Sequence, residues 1–519
     1  MRGTVGRTTR GTGSGIKKLV GMVCLTLLFL AVAGCSVLAA PLTEQVLLER
    51  HYLNDYDSDP YVNYGSGQYQ KIYLDDAGRE KWSELDGALR AFSEEYAASI
   101  EDFFSESCQE ARESRENYEY EVYSKSKMLV RRADEQVFSF LVYREDYTGG
   151  AHGYYSYTGY NFDPATGEQL TLADVFTDEE QVKDILWQLL LEKYPGSSIG
   201  TFCENLDEFG SGPDQYPLYW SVGPQGVTFI FNPYAIASYA ESIQTVTLLY
   251  SEYAYLYTDR IGTSTGNYTC QLESWLDEDY DVDGDGIADT ISVSMNYTDD
   301  SWEYRTFDSM TVTVNQETCT FDMYGYECAP MLMHTEDGRA YLYLEVLMDN
   351  DYRQIAVVDL NGGKPAWAGT IDAGFSWVWN EEDQTSSQAI PQDPMHFCLA
   401  SRMNMLGTYS GMRYYTLDGG NYGRPETERF TAGTAHVLTT IKDLPVHRID
   451  PATMTASEEI SYVPANENLT ILGTDGETYA DLQCQDDTLV RVYVNTTGYP
   501  RLIEGEDEQD FFEMIFYAG

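Results

Sequence analysis

The sequence predicts a multidomain protein: an α+β N-terminal domain, then an all-β domain that is propeller-like or a sandwich, then a small β-barrel tail. Three observations carry this. Helical periodicity is confined to the first half, where amphipathic stretches alternate with strand-like runs. From about residue 265 onward only short β-branched or alternating runs occur, separated by Gly, Asn and Asp turns. A length of 519 residues suits two to four domains, at roughly 100–200 residues each. The predicted divisions are 1–34, 41–257, 265–455 and 456–519, with the segment around Gly262, Ser264 and Gly266 as the main boundary.

Composition narrows the function. There are 84 acidic against 32 basic residues, a formal charge of −52. Nucleic acid is excluded as a partner, because binding phosphates needs a positive face. Docking on an anionic bilayer through the folded body is disfavoured for the same reason. Disorder is the other reading of so much acid, but 43% hydrophobic and 14% aromatic residues are ample for packed cores.

At the N-terminus, Arg2, Arg7, Arg10, Lys17 and Lys18 precede an apolar run from Leu19 to Ala33. That run is short for a membrane span, which needs about 20 residues, and suits a secretory signal. It ends Val32-Ala33-Gly34-Cys35, which resembles a bacterial lipobox, so Cys35 is the expected lipidation site. A plain signal cut near Ala39-Ala40, or an uncleaved anchor, is the alternative. Acyl chains would hold the protein on the outer face of the cell membrane, with no other membrane contact. Seven further cysteines are scattered in odd number and do not read as a disulfide framework; Cys319 and Cys328 are the one pair that could close a hairpin.

In the first domain, Trp82, Leu85, Leu89, Phe92, Tyr96, Ile100 and Phe103 fall on one face of a helix over 77–110. Strands are expected at 118–124, 127–133, 136–144 and 153–162. A second helix is expected to start at Thr177, with Thr177 and Glu180 as a capping box, and to end at Pro195-Gly196. Strands at 227–232 and 245–250 flank a short helix at 234–241.

Two of these stretches carry a resemblance. Gly149-Gly150-Ala151-His152-Gly153 with its continuation through Asp163-Pro164-Ala165-Thr166-Gly167 to Phe176 is one, and Phe231 to Glu241 is the other. With the preceding strand, long helix and hairpins, they resemble the extracytoplasmic domains of the lysozyme-sensing anti-sigma factor RsiV and the peptidoglycan deacetylase PdaC. The likeness covers roughly residues 45–255. It implies an envelope-facing module that binds a protein such as lysozyme, or a cell-wall glycan such as peptidoglycan. It does not carry over an activity, because neither a paired-acid TFDD-type motif nor an H-x-x-x-H metal pair occurs, and the basic n-region leaves no room for a sigma-binding domain. His152 is either a ligand-contact residue or a histidine that fixes its turn, and the second reading is favoured.

The clearest chemical signal is Asp281-Val282-Asp283-Gly284-Asp285-Gly286-Ile287-Ala288-Asp289. Asp281, Asp283, Asp285 and Asp289 offer carboxylates at positions 1, 3, 5 and 9, Gly286 permits the turn, and the Ile287 carbonyl can serve at position 7. Position 12 is Ser292, so the EF-hand is incomplete. The loop resembles the calcium loops of FG-GAP and VCBS repeats, and a structural Ca²⁺ is expected; the alternative is an acidic surface turn. The strand pattern of 456–519 weakly resembles an SH3-like barrel.

No catalytic motif survives inspection. Gly262-Thr263-Ser264-Thr265-Gly266 spells a nucleophile elbow but has no helix after it. Ser124 to Lys127 spells S-x-x-K within a strand-like run. A non-enzymatic binding lipoprotein of the cell envelope is therefore expected, with an envelope hydrolase as the alternative.

Overall fold

The computed structural model describes residues 41–42, 45–115, 119–210, 215–261, 266–298, 305–380, 385–433 and 436–518. Cys35, the apolar run before it and residues 262–265 lie outside these. Among the described residues no helix is long and apolar enough to cross a membrane. The residues from Ala39 to Gly519 form one compact unit, α+β in its first half and mostly β thereafter.

The first sheet starts from a long hairpin, β1 (Val46–Ser58) and β2 (Tyr61–Leu74). β3 (Val122–Ala133) joins β2 in parallel over Gly65 to Gln68, and β4 (Phe138–Tyr147) and β5 (Tyr154–Phe162) continue antiparallel. The two strands predicted at 118–124 and 127–133 are thus one. Gly67 is needed where β2 meets β3, because a Cβ there would overlap the Ser124 carbonyl oxygen.

A helix from Ser83 to Ser114 covers this sheet. Leu85, Leu89, Ser93, Ala97, Ile100, Phe104, Cys108 and Ala111 are its buried stripe, three or four residues apart as one helix face requires. Trp82, expected inside the helix, instead separates it from a short preceding turn of helix, Asp76–Lys81. The face rotates so that Phe104 and not Phe103 is buried. Beyond the short β2–β3 pairing, the helix satisfies β2 with its own side chains. Ser93 Oγ both accepts from Ile72 N and donates to Ile72 O, and Asp86 accepts from Leu74 N at 3.0 Å. A buried backbone group left unpaired would cost about 1–3 kcal/mol.

The second helix runs Glu179–Lys193 and is capped by Asp178, which accepts from Gln181 N. The predicted box at Thr177 fails because that hydroxyl donates to Leu256 O instead. Capping boxes occur at Thr171 with Asp174 and at Ser238 with Glu241. The helix packs with a three-stranded sheet of Tyr219–Val222, Gly226–Phe231 and Gln244–Leu249.

The sheets cross the expected divisions. Strand Thr385–Ile390 pairs with β1, Val46 opposite Ile390, so residues on both sides of the predicted boundary share the seven-stranded sheet. A five-stranded sheet explains why. Met331, Met333, Tyr341, Tyr343, Ile355 and Val357 join the core of the first sheet. The alternate residues Leu332, Leu342, Leu344, Ala356 and Val358 join a core shared with a four-stranded sheet of strands between Glu278 and Gly325. Period-two alternation with both faces buried makes the middle sheet a shared wall. The four- and five-stranded sheets thus face each other across one core, as the two layers of a sandwich do.

The tail is corrected as well. Strands Asn468–Thr474, Tyr479–Cys484 and Leu489–Tyr493 belong to an eleven-stranded sheet that includes strands from Gly374 onward. Among the described strands there is no closed barrel. Cys319 and Cys328 are free. Cys319 pairs with Val312 in the four-stranded sheet and Cys328 with Val346 in the five-stranded one.

Candidate functional site

The β4–β5 hairpin ends in Gly149 and Gly150 with φ of 94° and 99°, a left-handed pair that only glycine adopts without strain. The turn brings His152 out of the hairpin. Its Nδ1 lies 2.8 Å from Gly153 O, and its ring stacks on Tyr239 with centroids 4.2 Å apart. Tyr239 OH donates to the same carbonyl oxygen. His152 thus braces the turn against the Ser238–Glu241 segment and also edges a cleft.

That cleft has a volume of about 830 Å³. One wall is the chain before and at the start of β3, with Glu119, Tyr120, Glu121 and Tyr123; a second is the β4–β5 hairpin, with Tyr143, Glu145, Tyr147, Tyr155 and Tyr157. Tyr239, Ser242 and Ile243 form the third wall, and Trp275 and Leu276 the fourth. Tyr155 OH donates to Ser242 Oγ, which closes the second wall on the third. Tyr143 sits 5.5 Å from Trp275 between ring centroids and 5.0 Å from Tyr157. Tyr143 OH donates to Glu145 at 2.9 Å and Tyr157 OH to Glu273 at 2.8 Å. Burial, and after it the neighbouring glutamates, push both phenols well up. They stay protonated, so the rings are neutral faces beside carboxylates.

The fourth wall is tied to the sheet below. Glu273 pairs with Lys127, and Glu278 makes a bidentate pair with Arg131, which is only 1% exposed. Arg131 also donates to Gln271 O and Tyr280 OH. Lys127 follows Ser124 by three residues on a strand, so the two point to opposite faces. Ser124 donates to Asp146 at 2.6 Å while Lys127 turns to Glu273. The S-x-x-K string is therefore not a paired nucleophile and base.

Past strand Glu278–Tyr280 comes the acidic loop. Asp281, Asp283 and Asp285 bring one carboxylate oxygen each within 4.8 Å of the others. Gly284 and Gly286 have φ of 80° and 87°, which the fold-back needs. Asp281 accepts from the N–H groups of Gly284 and Gly286, and Asp285 from Ile287 N. Ile287 points its side chain outward. Asp289 differs from the other three. It is 8% exposed, accepts from Val282 N at 3.1 Å and Asn315 Nδ2 at 2.7 Å, and stands outside the cluster. Burial raises its pKa, and Asp283 and Asp281 add to the shift. Gln225 clamps the loop by bonding both Asp281 N and Asp281 O, and Ser251 donates to Gly286 O. Three hard oxygen donors on a glycine-hinged turn suit a hard cation such as Ca²⁺ better than zinc or copper, which favour nitrogen and sulfur ligands.

Sequence reasoning found His152 and the acidic loop but missed the cleft. Its only signal was tyrosine abundance, which strands explain equally well.

Cleft, clamp and loop all border one α+β region. Residues 173–251 of that region match the family model described as Protein of unknown function (DUF3298). The match takes in the second helix, the three-stranded sheet and the third wall of the cleft. Two solved structures of DUF3298-family proteins are similar to the chain. One, from Bacteroides fragilis, is 18% identical, with 42% of this chain and 96% of that one covered and a TM-score of 0.29. The other, from Pseudomonas aeruginosa PAO1, is 15% identical, with 44% and 99% covered and a TM-score of 0.28. No curated protein matches the chain.

Proposed function

We propose that the protein is a non-enzymatic binding module of the bacterial cell envelope, held outside the membrane by a lipid on Cys35, whose cleft engages a cationic protein. The observation that carries this is the composition of the cleft: seven tyrosines and a tryptophan with three glutamates, and neither lysine nor arginine among its lining residues. Aromatic side chains supply large contact area at low entropic cost, and unmatched carboxylates select a positive partner. The net charge of −52 steers the encounter from a distance. Lysozyme is the named candidate, on the resemblance of the 149–176 and 231–241 stretches to the RsiV and PdaC extracytoplasmic domains. A structural Ca²⁺ at Asp281, Asp283 and Asp285, with help from the Ile287 carbonyl and with Asp289 bracing the loop instead of joining the expected ligands, would hold the segment that carries Trp275.

Calorimetric titration with lysozyme at low and high salt tests the reading. Binding that weakens as salt rises supports it; no heat at low salt sinks it. A second reading, a peptidoglycan strand in the cleft, is favoured by ring faces set beside the Ser242 hydroxyl. Co-sedimentation with purified sacculi separates the two.

A further inference from the structure

The cleft holds more detail than a charged patch. We infer that it is a socket for a guanidinium or ammonium side chain on a basic peptide segment, received between Trp275, Tyr155 and Tyr239 and neutralised by Glu145 and Glu121. This rests on the reading of the cleft as the binding site and adds the chemistry of what enters it.

Three observations point to a cation rather than a sugar or an anion. First, the aromatic wall already holds one. Lys127 Nζ lies 5.4 Å from the Tyr143 ring centroid and 5.9 Å from that of Trp275, with its charge met by Glu273. The rings therefore present their negative faces to an ammonium in this fold, and Trp275, 61% exposed, is open to a second one from solvent. Second, the acids are unevenly matched. Glu119 is paired with Arg115, whereas Glu121 and Glu145 make no ion pair among the described residues and hold only neutral partners, Asn63 and Tyr143. Two carboxylates with spare acceptor capacity suit a forked guanidinium or an ammonium. Third, burial keeps Tyr143 and Tyr157 protonated, so no phenolate competes for the role of counter-ion.

The test uses the full chain with three probes at about 0.15 M salt, where long-range attraction is screened beyond about 8 Å. The probes are a capped triarginine peptide, the matching tricitrulline peptide and chitotriose, followed by calorimetry and tryptophan fluorescence. Expected is saturable one-site binding of triarginine, at least roughly tenfold tighter than tricitrulline, the scale of a desolvated cation–π contact. Glu145→Gln, which keeps the shape and the acceptor for Tyr143, should weaken triarginine about fivefold to tenfold. Trp275→Ala should do the same. Glu458→Gln, an exposed acid on the eleven-stranded sheet, should leave affinity unchanged. Equal affinity for tricitrulline, preference for chitotriose, or equal weakening by Glu458→Gln overturns the socket. If lysozyme binds and Glu145→Gln has no effect on it, the socket fails and the partner stands. If triarginine binds as expected and lysozyme does not, the socket stands and the named partner fails.

Discussion

The acidic loop takes all its candidate ligands from one run between Asp281 and Asp289, whereas the cleft is lined from five segments between Ser66 and Leu276. The two are nevertheless neighbours in the chain. Trp275 and Leu276 close the cleft, Glu278–Tyr280 is the next strand, and the loop follows at once. A site whose chemistry is contiguous shows itself in a single line of sequence. A site assembled by sheet register shows itself only once the register is known. The proposed roles differ as well: the loop would brace the segment after Trp275 around an ion, and the cleft would receive a partner.

The largest expected effect falls on the joint beneath both. Arg131→Ala leaves Glu278 buried without its cation and should cost about 3–5 kcal/mol, seen as a lower denaturant midpoint. A loss under about 1 kcal/mol would mean that the joint is not the shared foundation of cleft and loop.

Calcium should come next. Saturation at about 100 times Kd should add roughly 2.7 kcal/mol and raise Tm. Asp283→Ala should abolish that rise and leave Ca²⁺-free stability nearly unchanged. Asp289→Ala should destabilise with and without Ca²⁺, by about 1–3 kcal/mol, because Val282 N and Asn315 lose their acceptor. Equal behaviour of the two variants would erase the distinction between ligand and brace. An unchanged Tm in the wild type would remove the ion.

On the cleft side, Trp275→Ala should weaken lysozyme about tenfold, near 1.4 kcal/mol. Stability should stay within about 0.5 kcal/mol, as for an exposed side chain. A large loss of stability would make Trp275 a core residue instead.

The smallest effect is predicted away from both sites, where β1 meets strand Thr385–Ile390. Glu49 has its pKa lowered from 4.5 to about 2, first by the hydrogen bond with His51, against burial, and then by the bond from Tyr73. A depressed carboxylate stabilises the fold above about pH 4.5 and loses that contribution as pH falls towards 2. Glu49→Gln should flatten this part of the acid limb, by no more than about 1 kcal/mol after solvent screening.

How much was legible follows from the same contrast. The long helix, the β4–β5 hairpin and the loop were readable because their patterns are local. Leu85, Leu89 and Ile100 keep helical spacing, and Gly149-Gly150 marks a turn. Domain limits were not readable. Leu342 and Tyr343 are both buried, on opposite faces of one sheet, and nothing local says that those faces belong to two different cores. The Thr177 box failed for a related reason, since its hydroxyl is claimed by Leu256, 79 residues away. His152 was found with its turn-fixing role, but its partner Tyr239 lies in another segment, and with it the cleft stayed hidden.

Whether a cationic protein is gripped in this cleft is tested by amide hydrogen exchange on the full chain with and without lysozyme. The account predicts protection at 119–123, 143–157, 239–243 and 275–276, lost in Trp275→Ala. Binding with protection confined to 456–519 or to the β1–β2 hairpin tip would contradict it.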